Sequence, residues 1–197
     1  MVHTDSIPSK ALVSIADQIG RRLPSILDAE TLTGVEIELA ETFQLWVVGA
    51  ESVTRTNKYA PDLNGLAHQT NRWHHQITFN GEAKAIARSY CDEGLEDCRL
   101  SELFMSPLAA KIQKAASWID HGETPWRDCL VRLLVAPAYR MHALWLYDEL
   151  KRASQILVID YPEEFRTLRF EKPVNAGEFL TALSHAPHII GYTHNTY

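Results

Sequence analysis

The sequence predicts an α+β fold in which a largely antiparallel sheet of about five to six strands carries about three helices, packed mainly on one face. Three observations lead to this prediction. Helix patterns stand at the start, middle and end of the chain, several segments alternate polar and apolar residues, and an Asn-Gly turn joins two of them. Because 197 residues can bury one core and no linker interrupts them, we predict a single domain over residues 1–197.

Three segments carry the apolar spacing of amphipathic helices. The first covers about residues 9–22. The second begins at Ser106, an N-cap residue followed by proline at the first helical position, and stops before Gly122. The third begins at Asn175, and Glu178 three residues later completes the pattern of a capping box. Each helix should place one apolar face on the sheet.

The segment GVEIELAETFQLWVVG predicts one long strand. Apolar side chains hold most of the odd positions from Val35 to Val47, while most even positions are polar. A helix over the same residues is the competing interpretation, but it fits fewer positions and Gly34 would weaken its start. We therefore predict a strand over roughly residues 34–49, bent near Ala40.

The segment RWHHQITFNGEAKAIARS predicts a β-hairpin. Asn80–Gly81 is the preferred centre of a type I′ turn, because both central residues need a positive φ. With a two-residue turn, the numbers of facing residues sum to 161, so His75 should face Ile86 and His74 should face Ala87. The two adjacent histidines should then point to opposite faces of the sheet, which prevents them from sharing one ligand atom.

The rest of the chain predicts further strands and two irregular regions. Residues 129–136, 139–147 and 154–160 are apolar segments that should extend the sheet, with a break at the proline between the first two. The segment YCDEGLEDCRLSELFM is acidic and resembles a turn. Residues 50–71 contain the turn sequences APD and LNG and predict a long loop, our candidate for a lid or binding loop. Residues 186–197 predict a mobile tail.

Composition and charge argue against several classes of protein. The net charge of −6 and the pI near 5.8 do not suit a protein that coats nucleic acid or an anionic membrane. No stretch reaches the ~18 to 20 apolar residues of a membrane span, and charged residues interrupt any signal-peptide core near the start. We therefore predict a cytoplasmic protein that binds neither nucleic acid nor membranes.

The three cysteines predict reduced thiols. An odd, small number of cysteines is expected where packing rather than disulfides holds the fold. Cys91 and Cys98 are separated by six residues, wider than the ~2 to 4 of zinc knuckles. His185, His188 and His194 could meet near the C-terminus, but Pro187 breaks the helix that would align the first two. We predict free thiols and no metal.

Six residues are candidate ligand-binding residues: Trp73, His74, His75, Arg88, Arg140 and His142. On a regular strand Arg140 and His142 share one face, and beside the hairpin they would line an anion pocket. The structural alternatives are that His75 is a hydrogen-bonded imidazole at the edge of a core, and that Arg140 forms a surface ion pair. Asp160, at the end of its strand, is interpreted as a strand-terminating residue.

The sequence contains no motif for a dinucleotide, a P-loop or a hydrolase elbow, so no cofactor is predicted. Its 5 tryptophans and 7 tyrosines are residue types that anchor interfaces. The preferred hypothesis is a non-catalytic binding or protein-interaction domain, with a protein partner or a homodimer. The alternative is an enzyme that uses a histidine as acid or base on an anionic substrate held by arginine.

Overall fold

The computed structural model describes residues 3–28, 32–55, 63–95, 97–121, 126, 128–163 and 172–186. These residues form nine strands and four α-helices, more of both than the sequence predicted. The helices are α1 (Ser9–Arg22), α2 (Ala50–Arg55), α3 (Pro107–His121) and α4 (Ala176–His185). The strands are β1 (His3–Thr4), β2 (Ile37–Val48), β3 (Ala67–Phe79), β4 (Glu82–Cys91), β5 (Cys98–Met105), β6 (Leu130–Ala136), β7 (Met141–Asp148), β8 (Ala153–Asp160) and β9 (Val174–Asn175).

The strands form one large, mostly antiparallel sheet, as expected for the predicted α+β class. Its order is β5-β4-β3-β2-β6-β7-β8-β9, and β1 pairs with β6 beside β2. Among the described strands, only the β2–β6 and β1–β6 pairs are parallel. Strands β2–β5 form an antiparallel meander on one side of the central β2–β6 pair, and β6–β9 form a second meander on the other side. Each meander follows an α-helix in the chain, with α1 before β2 and α3 before β6.

Helices cover both faces of the sheet, so the prediction that they pack mainly on one face is wrong. Apolar residues of α1 and α4 pack on the face that carries Trp73 and Trp145, whereas α3 packs on the opposite face with Phe43 and Leu144. An amphipathic pattern shows that a helix has a buried side but not which face of the sheet it covers. The central strand β6 is buried on both sides, in agreement with its nearly continuous apolar sequence.

The predicted hairpin turn is present, and the predicted register is correct for the pairs Phe79–Glu82 and Thr78–Ala83 but not beyond them. Asn80 and Gly81 have φ values of 52° and 81°, as a type I′ turn requires. A bulge at Lys84 then shifts the pairing by one residue, so His75 faces Ala87 and His74 faces Arg88. The carbonyl of Lys84 accepts a hydrogen bond from the backbone N–H of Ser106 before α3, a tertiary contact that the hairpin sequence does not encode.

Two regions predicted as irregular are largely regular. Within the predicted loop 50–71, α2 occupies the first six residues and β3 begins at Ala67. Residues 56–62 lie outside the described residues, so the proposed lid is not tested there. In the acidic segment only the turn between β4 and β5 is irregular, and its second half is the edge strand β5. The polar–apolar alternation of CRLSELFM is weak because part of this edge strand is exposed to solvent.

The disulfide between Cys91 and Cys98 contradicts the prediction of free thiols at these positions. The two residues face each other across β4 and β5, with their Cα atoms 4.1 Å apart. The turn between them brings them together, and this pairing could not be inferred while β5 was interpreted as a turn. Cys129 is a free, buried thiol, and burial raises its pKa.

The predicted helices and later strands agree with the structure. At the start of α4, the Asn175 side chain accepts a hydrogen bond from Glu178 N at 2.9 Å, and the Glu178 carboxylate accepts one from Asn175 N at 3.2 Å. The predicted capping box is therefore confirmed. No helix among the described residues has the length and apolar character to span a bilayer. Residues 187–197, most of the predicted mobile tail, lie outside the described residues.

Candidate functional site

His75 is a buried bridge between three strands. Its Nδ1 lies 3.1 Å from the hydroxyl of Thr42 on β2, and its Nε2 lies 2.8 Å from the hydroxyl of Ser89 on β4. Burial lowers its pKa from 6.5 to about 4, so the imidazole is neutral at pH 7. Because both ring nitrogens are occupied and Ser89 is itself buried, the arrangement is that of a structural histidine.

Trp73 lies on the opposite face of the sheet from His74, and Arg140 lies outside the strand that carries His142. Trp73 is buried on the same face as His75, in the apolar cluster beneath α1. Arg140 ends the 3₁₀ turn Pro137–Tyr139 with a φ of 50° and precedes β7. The prediction that it shares a strand face with His142 is therefore wrong, because the turn interrupts the strand before Met141.

His74 points to the opposite face from His75, toward α3, as predicted for adjacent strand residues. Its neighbours across the sheet are Phe43 on β2 and Arg88 on β4. It is buried, and its Nε2 has no hydrogen-bond partner among the described residues. Burial lowers the pKa of His74 well below its usual value, and the neighbouring Arg88, His142 and His75 lower it further. The ring is therefore neutral at pH 7.

Arg88 lies beside His74 on β4. Its Nη1 donates a hydrogen bond to Glu102 at 3.0 Å, and its guanidinium carbon lies 5.1 Å from the centre of the Phe104 ring. The side chain is 21% exposed, yet its Nε is buried and has no hydrogen-bond partner among the described residues. Glu102 and Phe104 belong to β5, so the environment of Arg88 was not predictable while that strand was missed.

His142 approaches the same face from β7, where it shares its side of the strand with Leu144 beneath α3. Its Nδ1 lies 3.7 Å from one oxygen of Asp160, and Lys111 on α3 donates to the other oxygen at 2.5 Å. His142 and Lys111 hold the pKa of Asp160 below its usual value, against the opposing effect of partial burial. Asp160 therefore does more than terminate β8, because it pairs with Lys111 and lies beside His142, whose buried Nδ1 has no hydrogen-bond partner among the described residues.

Helix α3 brings these strands together. Gln113 donates to Gly81 O at 2.7 Å and accepts from Ala83 N at 2.9 Å, which fixes the helix to the hairpin. Two residues earlier, Lys111 reaches Asp160 at the end of β8. One short stretch of α3 therefore contacts both the hairpin and β8. Three of the six predicted residues, here called the His–Arg cluster (His74, Arg88 and His142), therefore face the same helix.

Sequence reasoning missed the residues that support the His–Arg cluster. Lys111 lies outside the apolar stripe of α3 and carries no motif, and Glu102 lies on the strand that was interpreted as a turn. Gln76 donates to Ala109 O at 2.7 Å, while its side-chain oxygen has no hydrogen-bond partner among the described residues. Within the cluster, Nε2 of His74 on β3 and Nε of Arg88 on β4 can each offer an N–H donor to a ligand with several acceptor oxygens.

Comparisons with known proteins add no functional assignment. No family model, no curated protein and no solved structure matches this chain. Within the part of the chain that the structure describes, no group of three or more His, Cys, Asp or Glu side chains is arranged to hold a metal ion. His188 and His194, considered above with His185, lie outside that part. Function must therefore be argued from the His–Arg cluster and its surroundings.

Proposed function

We propose that the protein is a binding domain for a small anionic ligand, which the His–Arg cluster holds beneath α3. One observation carries the proposal: Nε2 of His74 and Nε of Arg88 are buried on facing residues of β3 and β4, and neither has a hydrogen-bond partner among the described residues. Folded proteins satisfy nearly all buried polar nitrogens. A ligand with two or more anionic oxygens would accept hydrogen bonds from both.

Binding of an anion at this position is coupled to protonation. Burial and the charge of Arg88 hold the pKa of His74 down, and an anion beside the two residues would oppose that effect. Glu102 and Asp160 already neutralise Arg88 and Lys111, so the added positive charge comes from the imidazole of His74. We therefore expect affinity for the anion to rise as the pH falls from 7 toward 5.

The experiment is a histidine NMR titration of the full chain with inorganic phosphate. Phosphate should shift the His74 and His142 resonances and raise the pKa of His74. Arg88→Gln should weaken binding about 10- to 100-fold, the effect of losing a hydrogen bond to a charged group. Arg99→Gln is the matched control, because Arg99 lies on the neighbouring strand and pairs with Asp97 in solvent. Equal weakening in both variants, or no shift at either histidine, would refute the site.

The same cluster supports an acid–base enzyme through one further observation. The carboxylate of Asp160 lies 3.7 Å from Nδ1 of His142, so a small shift of the ring would form the hydrogen bond that orients a proton-exchanging histidine. In this version Arg88 holds the anionic group of the substrate and His142 acts as acid or base. Conversion of candidate phosphate and carboxylate esters by the full chain, lost in His142→Gln but retained in His121→Gln, would support it. Binding without conversion would favour the binding domain.

A protein partner or homodimer remains a second candidate, favoured by the edge strand β5. Helix α1 covers the start of β5, while the end of the strand is open and Met105 is 46% exposed. A partner strand can pair with such an edge. Light scattering of the wild-type chain and of Met105→Lys tests it, because an added charge at the exposed edge should dissociate a dimer formed there.

Cytoplasmic location also remains a proposal. The free thiol of Cys129 is compatible with it, whereas the Cys91–Cys98 disulfide removes the argument from reduced thiols at those two positions. Thiol labelling of the protein in its native compartment tests the location, because Cys91 and Cys98 should be labelled in the cytoplasm, where thiols stay reduced, and protected as a disulfide elsewhere.

A further inference from the structure

A second buried cation lies on the opposite face of the sheet, in an aromatic cage. Arg132 is on β6, and its side chain is 10% exposed. Its guanidinium carbon lies close to three ring centres: 4.2 Å from Trp46, 4.8 Å from Trp145 and 5.1 Å from Tyr147. Its Nη1 donates to the side-chain oxygen of Asn64 at 3.2 Å. The rings shield the guanidinium from water, which strengthens its attraction for an anion.

The chain fills this cage with its own carboxylate. One oxygen of Asp5 lies 3.5 Å from Nε of Arg132, and the other accepts a hydrogen bond from the Trp46 indole at 3.1 Å. The Nε contact lacks hydrogen-bond geometry, so this buried nitrogen has no hydrogen-bond partner among the described residues. A guanidinium and an indole N–H thus form a carboxylate site that Asp5 occupies incompletely.

The segment that carries Asp5 lies in a gap of the sheet. β2 pairs with β6 only over Leu45–Val47, and before Leu45 the two strands diverge. β1 fills this gap, where it pairs in parallel with Leu130 and Val131 through its two residues. We call the gap between β2 and β6, with Arg132 at its base, the β1 wedge.

Open grooves flank the segment on both sides. One groove of about 350 Å³ lies between residues 4–7 and residues 39–42 of β2. Another of about 410 Å³ lies where His3 meets Leu130 and Tyr147. Two residue pairs with β6, one ion pair and one hydrogen bond from the Trp46 indole hold a segment that neither side encloses, so its contacts can be exchanged for equivalent ones.

We propose that the β1 wedge is a docking site for an extended acidic segment of a partner protein, and that residues 3–7 occupy it in cis. The incoming main chain would add a parallel strand to β6, which is a known mode of peptide recognition. Its Asp or Glu would replace Asp5 against Arg132 and Trp46. The partner segment must be acidic, because the buried guanidinium of Arg132 needs an anion beside it whichever segment is bound.

This site is distinct from the His–Arg cluster, which lies on the α3 face. Loss of Asp5 without replacement would leave Arg132 buried and uncompensated, which is costly. Exchange of one acidic segment for another avoids that cost, so side chains that fill the two flanking grooves would decide which segment is bound.

The test uses the full chain carrying Asp5→Asn and a labelled peptide with the sequence of residues 2–9. Fluorescence anisotropy should show that this chain binds the peptide at least about 10-fold more tightly than wild type does, because its own segment competes less well. The same peptide with asparagine in place of aspartate should bind at least about 10-fold more weakly. Asp17→Asn is the control, since Asp17 pairs with Arg21 in solvent and its loss should leave the affinity at the wild-type value.

Hydrogen exchange on the wild-type chain provides a readout that does not depend on the folding of Asp5→Asn. Excess aspartate peptide should slow exchange at Leu130–Arg132, whereas the asparagine peptide should not. Equal behaviour of the two peptides in both experiments would overturn the proposal. A dimer that dissociates on Asp5→Asn substitution would also overturn it, because the occupant would then be the N-terminal segment of a second copy.

Discussion

The neighbouring histidines on β3 show how residue-scale environment decides chemistry. His75 has both nitrogens occupied by hydroxyls, whereas His74 has a buried nitrogen with no hydrogen-bond partner among the described residues. Burial lowers the pKa of both imidazoles, so both are neutral near pH 7. Folding therefore excludes protons that the unfolded chain would bind in mildly acidic solution.

We predict that stability falls as the pH drops through the range set by His75. Its pKa is 6.5 when unfolded and about 4 when folded, so only the unfolded chain binds the proton between these values. The free energy of unfolding should then decrease by about 3 kcal/mol for this residue between pH 7 and pH 4. Urea unfolding at several pH values measures the loss, and His75→Gln should reduce it.

The matched control for the pH experiment is His121→Gln, because His121 lies exposed on α3. This variant should keep the pH dependence of the wild type. Identical pH dependence in wild type and His75→Gln would show that the proton is excluded elsewhere. His74 should add to the loss in the same direction, since burial lowers its pKa as well.

At the scale of elements, polar side chains of α1 cover the edge of β5, and one of them, Arg22, donates to Ser101 O at 3.2 Å. Gln18 donates to Cys98 O at 3.0 Å and accepts from Leu100 N at 2.8 Å. The side-chain amide of Gln18 thereby makes the two hydrogen bonds that a neighbouring strand would make to Cys98 O and Leu100 N. The exposed backbone of an edge strand invites pairing with other chains, and this contact closes the first half of β5 against it.

We predict that Gln18→Ala lowers the free energy of unfolding by about 1–3 kcal/mol, because two backbone groups lose their partner. Hydrogen exchange at Leu100 should become faster. Gln18→Glu keeps the acceptor for Leu100 N and should protect that amide better than alanine does. Lys10→Ala, an exposed change on the same helix, should leave both measurements at wild-type values. Unchanged exchange in Gln18→Ala would show that β5 is held without this bridge.

At the scale of the molecule, two helix-plus-meander halves join at the parallel pair β2–β6. The His–Arg cluster draws on both halves, since His74 and Arg88 come from the first and His142 from the second. The disulfide, in contrast, lies in the first half alone, where it closes the end of β4 against β5. It therefore braces the outer strands that carry Arg88 and Glu102.

We predict that the double variant Cys91→Ser/Cys98→Ser unfolds about 2 kcal/mol more easily than the oxidised protein, since a small loop loses its cross-link. Reduction of the wild type should lower stability by a similar amount, and reductant should not affect the double variant. Both effects are measured by urea unfolding. A double variant as stable as the oxidised wild type would show that packing under α1 alone holds this edge.

The sequence by itself determined the elements that local forces specify. Apolar periodicity predicted α1, α3 and most strands, the capping box predicted the start of α4, and Asn80–Gly81 predicted the hairpin turn. It also indicated that His74 and His75 face opposite sides. Each of these features depends on residues within a few positions of one another.

Only the tertiary structure decided which elements meet. The bulge at Lys84, the strand β5, the parallel β2–β6 pair and the covering of both sheet faces depend on contacts between residues distant in sequence. The approach of His142 to the hairpin and the cage around Arg132 have the same origin. Side-chain spacing fixes a local period but not a partner, because the free energy of pairing comes from burial across the whole molecule.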